Sequence, residues 1–420
     1  MKRTETMNGR RISRMMLLLC LVLIGAAPGI LSAETAAGPK QGVDSTERKI
    51  LFPLFDSKPY NVKRLGCLLP LSGTYAVYGE NARKGVDLAL LTFRGNGKGR
   101  DFRVEYRDTG SDPARTRQAV RELAELGVAA IIGPVGPAEE AAKEAQAQGI
   151  PIITLTGREG VPQTGDFVFR HFLTQNVQVK SVTEYATGVL DLKRFAMLYP
   201  DEPYGRDMAR LFELELKRRG AVLVAAESYA PKTTDFGKQI KKIIASSAKH
   251  ADPKETRPEG ATPRFGIEGF FIPDSAETVG LILPQLRFYD VNETVLLGTN
   301  LWNSETLVSL AGQYLQHAVI PEGFFAESTE PQVVRFVERF REAYEGKPGY
   351  VEAVAYDTAL IVFHMMNREP TSHEDFRQTL LDMGNVRGVT GVTSFSENGE
   401  AEKTIYLLKG GPEGFVEIPR

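Results

Sequence analysis

Leu65 to Leu71 is an apolar run that ends in Ser72-Gly73, and a polar loop with two tyrosines follows it. From Gly79 to Leu90 the apolar positions Ala82, Val86 and Ala89 return at helical spacing. This is a strand, a loop and a helix, the first βα unit of an α/β domain. Its loop lies at the carboxyl end of a strand, the side on which open α/β sheets bind ligands.

The alternation continues. Strands are expected at 62–71, 102–108, 129–134 and 151–155, with helices at 79–93, 113–127 and 137–148. Apolar runs of this length between helical patterns predict βαβ units and a parallel sheet. Strand-like Phe167 to Arg170 then leads into a second series. There, helices are expected at 176–191, 204–219, 235–248 and 275–288, and strands at 194–199, 221–228, 267–272 and 294–299. Residues 250–263, rich in Pro, Lys, Glu and Thr, read as a surface loop insertion. Long amphipathic helices are expected at 331–345 and 351–367, and Gly388 to Ile418 is turn-rich and strand-like. No repeat of solenoid period stands out.

The pattern predicts an α/β protein of two Rossmann-like lobes, each with a parallel central sheet, joined by a multi-strand hinge. The first lobe is expected at 61–172 with a return segment near 301–365, and the second at 173–300 with a return near 366–420. Such lobes close about a hinge, and sites favour the space between domains.

The amino terminus changes where this fold is placed. Lys2, Arg3, Arg10, Arg11 and Arg14 form a basic start, Met15 to Ala27 is apolar, and small residues follow around Ser32-Ala33. This predicts a secretory signal peptide over 1–33, a linker over 34–60 and a periplasmic address. An uncleaved anchor is the alternative, although the apolar core is short for a membrane span. Arg10-Arg11 is a weak hint of twin-arginine export. Cys20 lies among bulky leucines, so no lipid anchor is expected there. The remaining cysteine, Cys67, sits in the first strand, where a buried inert thiol is expected. One thiol forms neither an internal disulfide nor a metal cluster, so the core must hold the fold. A formal net charge of −2 without basic runs excludes a nucleic-acid partner.

Chemistry of the enzymatic kind is not signalled. The five histidines are scattered, and there is no G-x-S-x-G elbow. Gly95 to Gly99 lacks the Lys-Ser/Thr ending of a phosphate loop and follows a helix. Neither an enzyme nor a cofactor is expected.

An ordered series of motifs then points to a family. It comprises Leu69-Pro70-Leu71-Ser72-Gly73, Tyr78-Gly79, Arg107-Asp108-Thr109, Asp112-Pro113, Ile131-Ile132-Gly133-Pro134, Ile150-Pro151-Ile152-Ile153, Tyr204-Gly205 and Gly388-Val389-Thr390-Gly391. Over roughly 62–415 the chain resembles type I periplasmic binding proteins of the leucine/isoleucine/valine-binding class. Phe169 to Thr174, Met197 to Pro200 and Leu296 to Trp302 resemble the branch called penicillin-binding protein activators. Only residues 34–60 separate the expected leader from the first lobe, so the helical-repeat domain of full activators is not expected.

The resemblance implies a pocket, with departures. Ser72 and the aromatic Tyr78 would face it from the first lobe. The family's carboxylate-binding serine falls here on Pro137 or Ala138, leaving the amides of Gly136 and Ala138 to hold an anion. Alternatively Pro137 simply starts a helix. Thr156 offers a hydroxyl, and Arg158, at or beside the threonine position, would favour a carboxylate or phosphate unless it is a solvated charge beside Glu159. Tyr204 would supply an aromatic wall from the second lobe, with aromatic filling under a loop as the alternative for both tyrosines. Where the amino-acid binders carry an acidic ammonium anchor, this chain has Asn300. Asp274 would substitute for it or, the favoured reading, cap the next helix. A free aliphatic amino acid bound in the family's usual way is therefore not expected.

The resemblance implies an exported, non-enzymatic solute-binding protein that closes on a small ligand, amino-acid-like or another small polar or anionic molecule, and serves an inner-membrane ABC permease. The alternative is an activator-like regulator acting on a cell-wall synthase through protein–protein contact.

Overall fold

A computed structural model describes residues 59–250 and 265–419. The expected leader at 1–33, the linker as far as residue 58 and nearly all of the loop expected at 250–263 lie outside the described residues.

The first lobe follows the alternation of its sequence. It runs β1 (Asn61–Leu69), α1 (Ala76–Gly95), β2 (Arg103–Asp108), α2 (Pro113–Glu125), β3 (Val128–Val135), α3 (Glu139–Gln148), β4 (Ile152–Leu155) and β5 (Val168–Arg170). The strands form one parallel sheet in the order β2-β1-β3-β4-β5. Successive residues of a strand point to opposite faces. Leu65, Cys67 and Leu69 accordingly pack into one core, and Leu68 packs with Val120, Leu123 and Ala141 on the other face. Helices cover both faces, so the strands read as continuous apolar runs. Cys67 is free and fully buried, and burial pushes its thiol well up, which leaves it inert.

The second lobe begins with α4 (Gln175–Glu184), whose amino end Thr174 caps through the Val177 amide. The expected single helix over 176–191 instead passes into a π-helical turn at Tyr185–Val189. There follow β6 (Arg194–Pro200), α5 (Pro203–Arg218), β7 (Val222–Tyr229), α6 (Gly237–Ser247), β8 (Gly269–Phe271), α7 (Ala276–Phe288), β9 (Val295–Leu297), α8 (Glu305–Ala311) and β10 (Ala318–Glu322). Strands β7, β6, β8, β9 and β10 lie side by side and parallel. The chain therefore leaves the second lobe after β10 rather than near residue 301, because Ala318 and Val319 pair with Leu296 and Leu297.

It returns to the first lobe as α9 (Pro331–Tyr344), α10 (Tyr350–Met366) and α11 (His373–Leu381). Helix α9 is amphipathic, burying Val333, Phe336, Val337 and Phe340. Helix α10 is not: it is buried nearly all round, against α1 and beneath α9. Its inward polar groups are partnered, as burial demands. Asp357 accepts the amides of Val389 (2.9 Å) and Thr390 (2.7 Å), and Thr358 meets His171. Helix α11, expected in the second lobe, packs on the first, where His373 bonds the Val128 carbonyl at 2.8 Å.

The last stretch makes β11 (Val386–Gly388), β12 (Gly391–Phe395) and β13 (Ala401–Thr404), an antiparallel three-stranded sheet in the third crossing between lobes. Strands β14 (Tyr406–Gly411) and β15 (Gly414–Glu417) then extend the second sheet antiparallel beyond β10. Three crossings thus join the lobes, at 171–174, 323–330 and 382–405. A buried polar network binds the first to the third. His171, with no exposed surface, has Nδ1 at 2.8 Å from the Thr358 hydroxyl and Nε2 at 2.7 Å from Lys403 Nζ. Burial and the Lys403 charge hold its imidazole well below the usual range, so it stays neutral. Beside it, Arg170, 3% exposed, grips Glu400 with two bonds of 2.9 and 2.7 Å.

Candidate ligand site

The carboxyl ends of β1 to β4 build one wall. After β1 the loop is braced by Asp108 at the end of β2. Its oxygens take the amides of Leu71 (2.8 Å), Ser72 (3.1 Å) and Gly110 (2.8 Å), the Ser72 hydroxyl (2.6 Å) and Arg115 Nη2 (2.8 Å). Burial opposes ionisation of Asp108, but the Ser72 hydroxyl and these amides outweigh it and hold the carboxyl below its ordinary range. The Ser72 hydroxyl is thus committed to a partner inside the protein.

Tyr78, on the first turn of α1, is 50% exposed and touches neither the loop after β3 nor that after β4 in any bond or ring contact. Tyr75 does approach the loop after β3: a Cβ on Gly136 would stand 3.6 Å from its ring. Gly136 has φ +90°, a left-handed conformation that suits glycine. Tyr75 also lines a small cleft of about 100 Å³ with Pro70, Thr109, Val135, Pro137 and Glu139.

The next groups are arranged around a residue that the sequence did not single out. Gly136 donates its N–H to the Leu155 carbonyl at 3.4 Å. Ala138, fully buried, donates its N–H to Glu139 Oε2 at 3.1 Å. Arg158 donates from Nη1 to Glu139 Oε1 at 2.9 Å, and its backbone N–H to the Thr156 hydroxyl at 3.2 Å. Burial works against the Glu139 charge, but its own amide, Arg158 and Ala138 N–H together pull its carboxyl below the usual value. The partner of Arg158 is therefore Glu139, whereas the adjacent Glu159 turns to Arg170 at 3.2 Å. Strand order explains the pairing, since β3 and β4 are neighbours and bring residues 139 and 158 together. The charge of Glu139 in the first turn of a helix was the signal available in the sequence.

The second lobe builds a wall of the same kind from the ends of β6 to β9. Tyr204, on the first turn of α5, is half-buried. Burial pushes its phenol up, Asp274 adds to the shift, and a hydrogen bond with the Thr299 hydroxyl opposes it. Asp274 accepts the Tyr229 hydroxyl and the Ser275 amide (2.6 Å). The cap of α7 is Ser275, whose hydroxyl receives the Thr278 amide at 3.5 Å, so Asp274 is one residue too early for that role. Asn300 opens a short 3₁₀ turn, donates its N–H to Gln178 Oε1 at 3.1 Å, and has no hydrogen bond to its side-chain amide among the described residues. Beneath it Trp302 is fully buried and donates its indole N–H to the Ile272 carbonyl at 3.2 Å. Glu322, at the end of β10, is held by Asn303 Nδ2 (3.0 Å) and the Gly323 amide (2.8 Å). Burial outweighs these bonds and pushes its carboxyl up to about 7.

The structure thus gathers Gly136, Ala138, Thr156 and Arg158 into one cluster, and Tyr204 with Asp274 into another. No hydrogen bond or ion pair joins the two clusters among the described residues. A cavity of about 410 Å³ does take its lining from both lobes and the hinge. Glu159 and Arg170 contribute from the first lobe, Asp207, Arg210 and Leu211 from α5, and Thr174 and Glu400 from the crossings. Sequence reasoning named none of these as site residues, because they meet only through the chain crossings. Among the described residues no helix is long and apolar enough to cross a membrane, and no cluster of His, Cys, Asp and Glu is arranged to hold a metal.

Comparison with known proteins agrees with this architecture. Residues 63–414 match the family described as periplasmic binding protein, and the chain belongs to that family. It is similar to Leu/Ile/Val-binding protein homolog 3 of Brucella melitensis biotype 1, 23% identical over 200 residues, which are 46% of this chain and 54% of the relative. It is also similar to Leu/Ile/Val-binding protein homolog 8 of Brucella suis biovar 1, 27% identical over 246 residues, 55% of this chain and 56% of the relative. The chain spans about half the length of the curated relatives it matches. Among solved structures, the fold resembles a Rhodospirillum rubrum protein provisionally assigned as a branched-chain amino acid ABC transporter. That match has TM-score 0.75 and 21% identity, and covers 84% of this chain and 99% of the other. An ABC transporter substrate-binding protein of Desulfitobacterium hafniense in complex with Leu matches with TM-score 0.63 and 20% identity, again over 84% and 99%. Two α/β lobes built on parallel strands are what the alternation of the sequence predicts, and the type I binding-protein architecture is what its motif series resembles.

Proposed function

We propose that this chain is an exported solute-binding protein whose lobes close on a small polar molecule and deliver it to an inner-membrane ABC permease, without catalysis. The observation that carries this reading is the architecture of two α/β lobes joined by three chain crossings, each lobe presenting a wall of loops at the ends of its parallel strands. A ligand held between these walls contacts both lobes, and so favours the closed arrangement over the open one. The curated relatives are named homologs of Leu/Ile/Val-binding protein, and a structural neighbour is an ABC transporter substrate-binding protein in complex with Leu, which supports solute uptake. In this reading Tyr75, Tyr78 and Tyr204 supply aromatic surface with polar tips. The Asn300 amide, Asp274 and the Thr156 hydroxyl supply hydrogen bonds. Ser72 braces the loop after β1, and Gly136 lets that wall turn.

A thermal-shift screen of the purified protein against amino acids, amines, amides, carboxylates and muropeptides tests the reading. A cognate ligand at 100 times its Kd stabilises the folded form by about 2.7 kcal/mol, a readily visible shift. Tyr204→Ala weakens that ligand at least tenfold. If no compound raises Tm at millimolar concentration, solute binding is wrong. Recovery of a cell-wall synthase rather than a permease from envelope extracts then points to regulation by protein contact.

A further inference from the structure

On the first-lobe wall, the groups suited to an anion are the Gly136 and Ala138 amides at the start of α3, the Thr156 hydroxyl and the Arg158 guanidinium. Each is already used by the chain itself. Gly136 N–H is bonded to Leu155, and the Thr156 hydroxyl oxygen accepts the Arg158 amide. Glu139 completes the set, with one carboxylate oxygen on Ala138 N–H and the other on Arg158. Charge-assisted bonds to amides and guanidinium are what a bound carboxylate would make. An arriving carboxylate must therefore displace Glu139 or lie against its negative charge. On the second lobe, Glu202 and Asp274 both act on the Tyr229 phenol, and neither has a basic partner among the described residues. These two carboxylates thus carry negative charge without a cation paired to either among the described residues.

We propose that Glu139 is a specificity-determining residue, a tethered internal anion that closes the first-lobe wall to ligand carboxylates. The cleft then selects small amines or amides that lack a free carboxylate. This rests on the solute-binding reading and names its ligand class.

Calorimetric titration of the full chain tests it with leucine, leucinamide and 3-methylbutylamine, which share one aliphatic group. Sodium acetate against sodium chloride at equal ionic strength serves as a probe independent of side-chain fit. The natural chain is expected to bind the amide and the amine at least tenfold more tightly than leucine, and to show no acetate-specific stabilisation. Glu139→Ala is expected to gain at least tenfold in leucine or acetate binding and nothing for the amine. Glu139→Gln, which keeps the shape and one acceptor, gains less. Glu374→Gln, an exposed change on α11, gains nothing. Leucine binding the natural chain as tightly as leucinamide overturns the proposal. So does a folded Glu139→Ala protein, with unchanged circular dichroism, that gains no affinity for leucine or acetate. If the trio ignores the natural chain because its side-chain slot differs, the Glu139→Ala arm still decides. Failure of the broad screen, by contrast, refutes solute binding itself.

Discussion

The two walls of the cleft are built from the same parts, strand ends followed by helix starts, yet they stand in different electrostatic states. On the first lobe, Asp108 and Glu139 each gather amides and an arginine, so that donors and charge are matched within the wall. On the second, Asp274 has a tyrosine and an amide but no cation, and the Asn300 side-chain amide is unengaged among the described residues. The contrast teaches that one scaffold can present a satisfied surface and a receptive one at equivalent topological positions. Recognition is then expected to be driven from the second lobe, with the first supplying shape and exclusion.

The comparison is broken most severely at Trp302. This single tryptophan is fully buried under the 3₁₀ turn, and a Cβ on Gly298 would lie 2.4 Å from its ring. Trp302→Ala is expected to cost about 3–5 kcal/mol in chemical denaturation, as large-to-small core changes do. First-lobe contacts stay unchanged in two-dimensional NMR spectra.

Next comes the pH dependence of the second wall. The Glu322 carboxyl, with an ordinary value of 4.5, is raised to about 7 in the folded chain. The folded state therefore binds more protons than the unfolded state between these values, and stability falls as pH rises through that window. The full loss is roughly 3 kcal/mol. Glu322→Gln removes this slope, which urea titrations at pH 5 and pH 8 would show. Trp302 fluorescence, reporting beside Asn303, titrates near neutrality only in the natural chain.

On the first wall, Asp108→Ala removes the brace of the β1 loop and is expected to cost about 2 kcal/mol by denaturation. Trp302 fluorescence in the native state stays the same, because the damage is confined to the other lobe. Smallest is the α7 cap. Ser275→Ala costs about 1 kcal/mol, read from the denaturation midpoint, whereas capping by the Asp274 side chain would have left Ser275→Ala nearly neutral.

Legibility followed the range of the interaction. The parallel sheets were visible because strands such as β3 are buried on both faces, which leaves an unbroken apolar run in the sequence. Strand β10 was not, since Pro321 reads as a breaker, although here it sits opposite Leu407 of an antiparallel neighbour. Helix α11 is only nine residues long, and it is tied to its lobe by the buried Phe376 and Leu380 and by His373 and Arg377, partners that lie far away in the sequence. At the site, loop positions were legible but partners were not. Arg158 has acidic neighbours at both 139 and 159, and only strand order decides which one it meets. The His171–Lys403 contact joins residues 232 apart and left no local trace. Asp274 and Ser275 differ by one position, and backbone geometry chose between them.

Closure around a solute is tested most directly by the distance between the lobes. Spin labels at Glu125→Cys on α2 and Glu213→Cys on α5, both exposed positions, report it by double electron–electron resonance. With the compound that gives the largest thermal stabilisation, the distance distribution is expected to narrow and shift shorter, and Tyr204→Ala is expected to abolish the shift at the same concentration. A distribution unchanged by every stabilising compound would contradict the account.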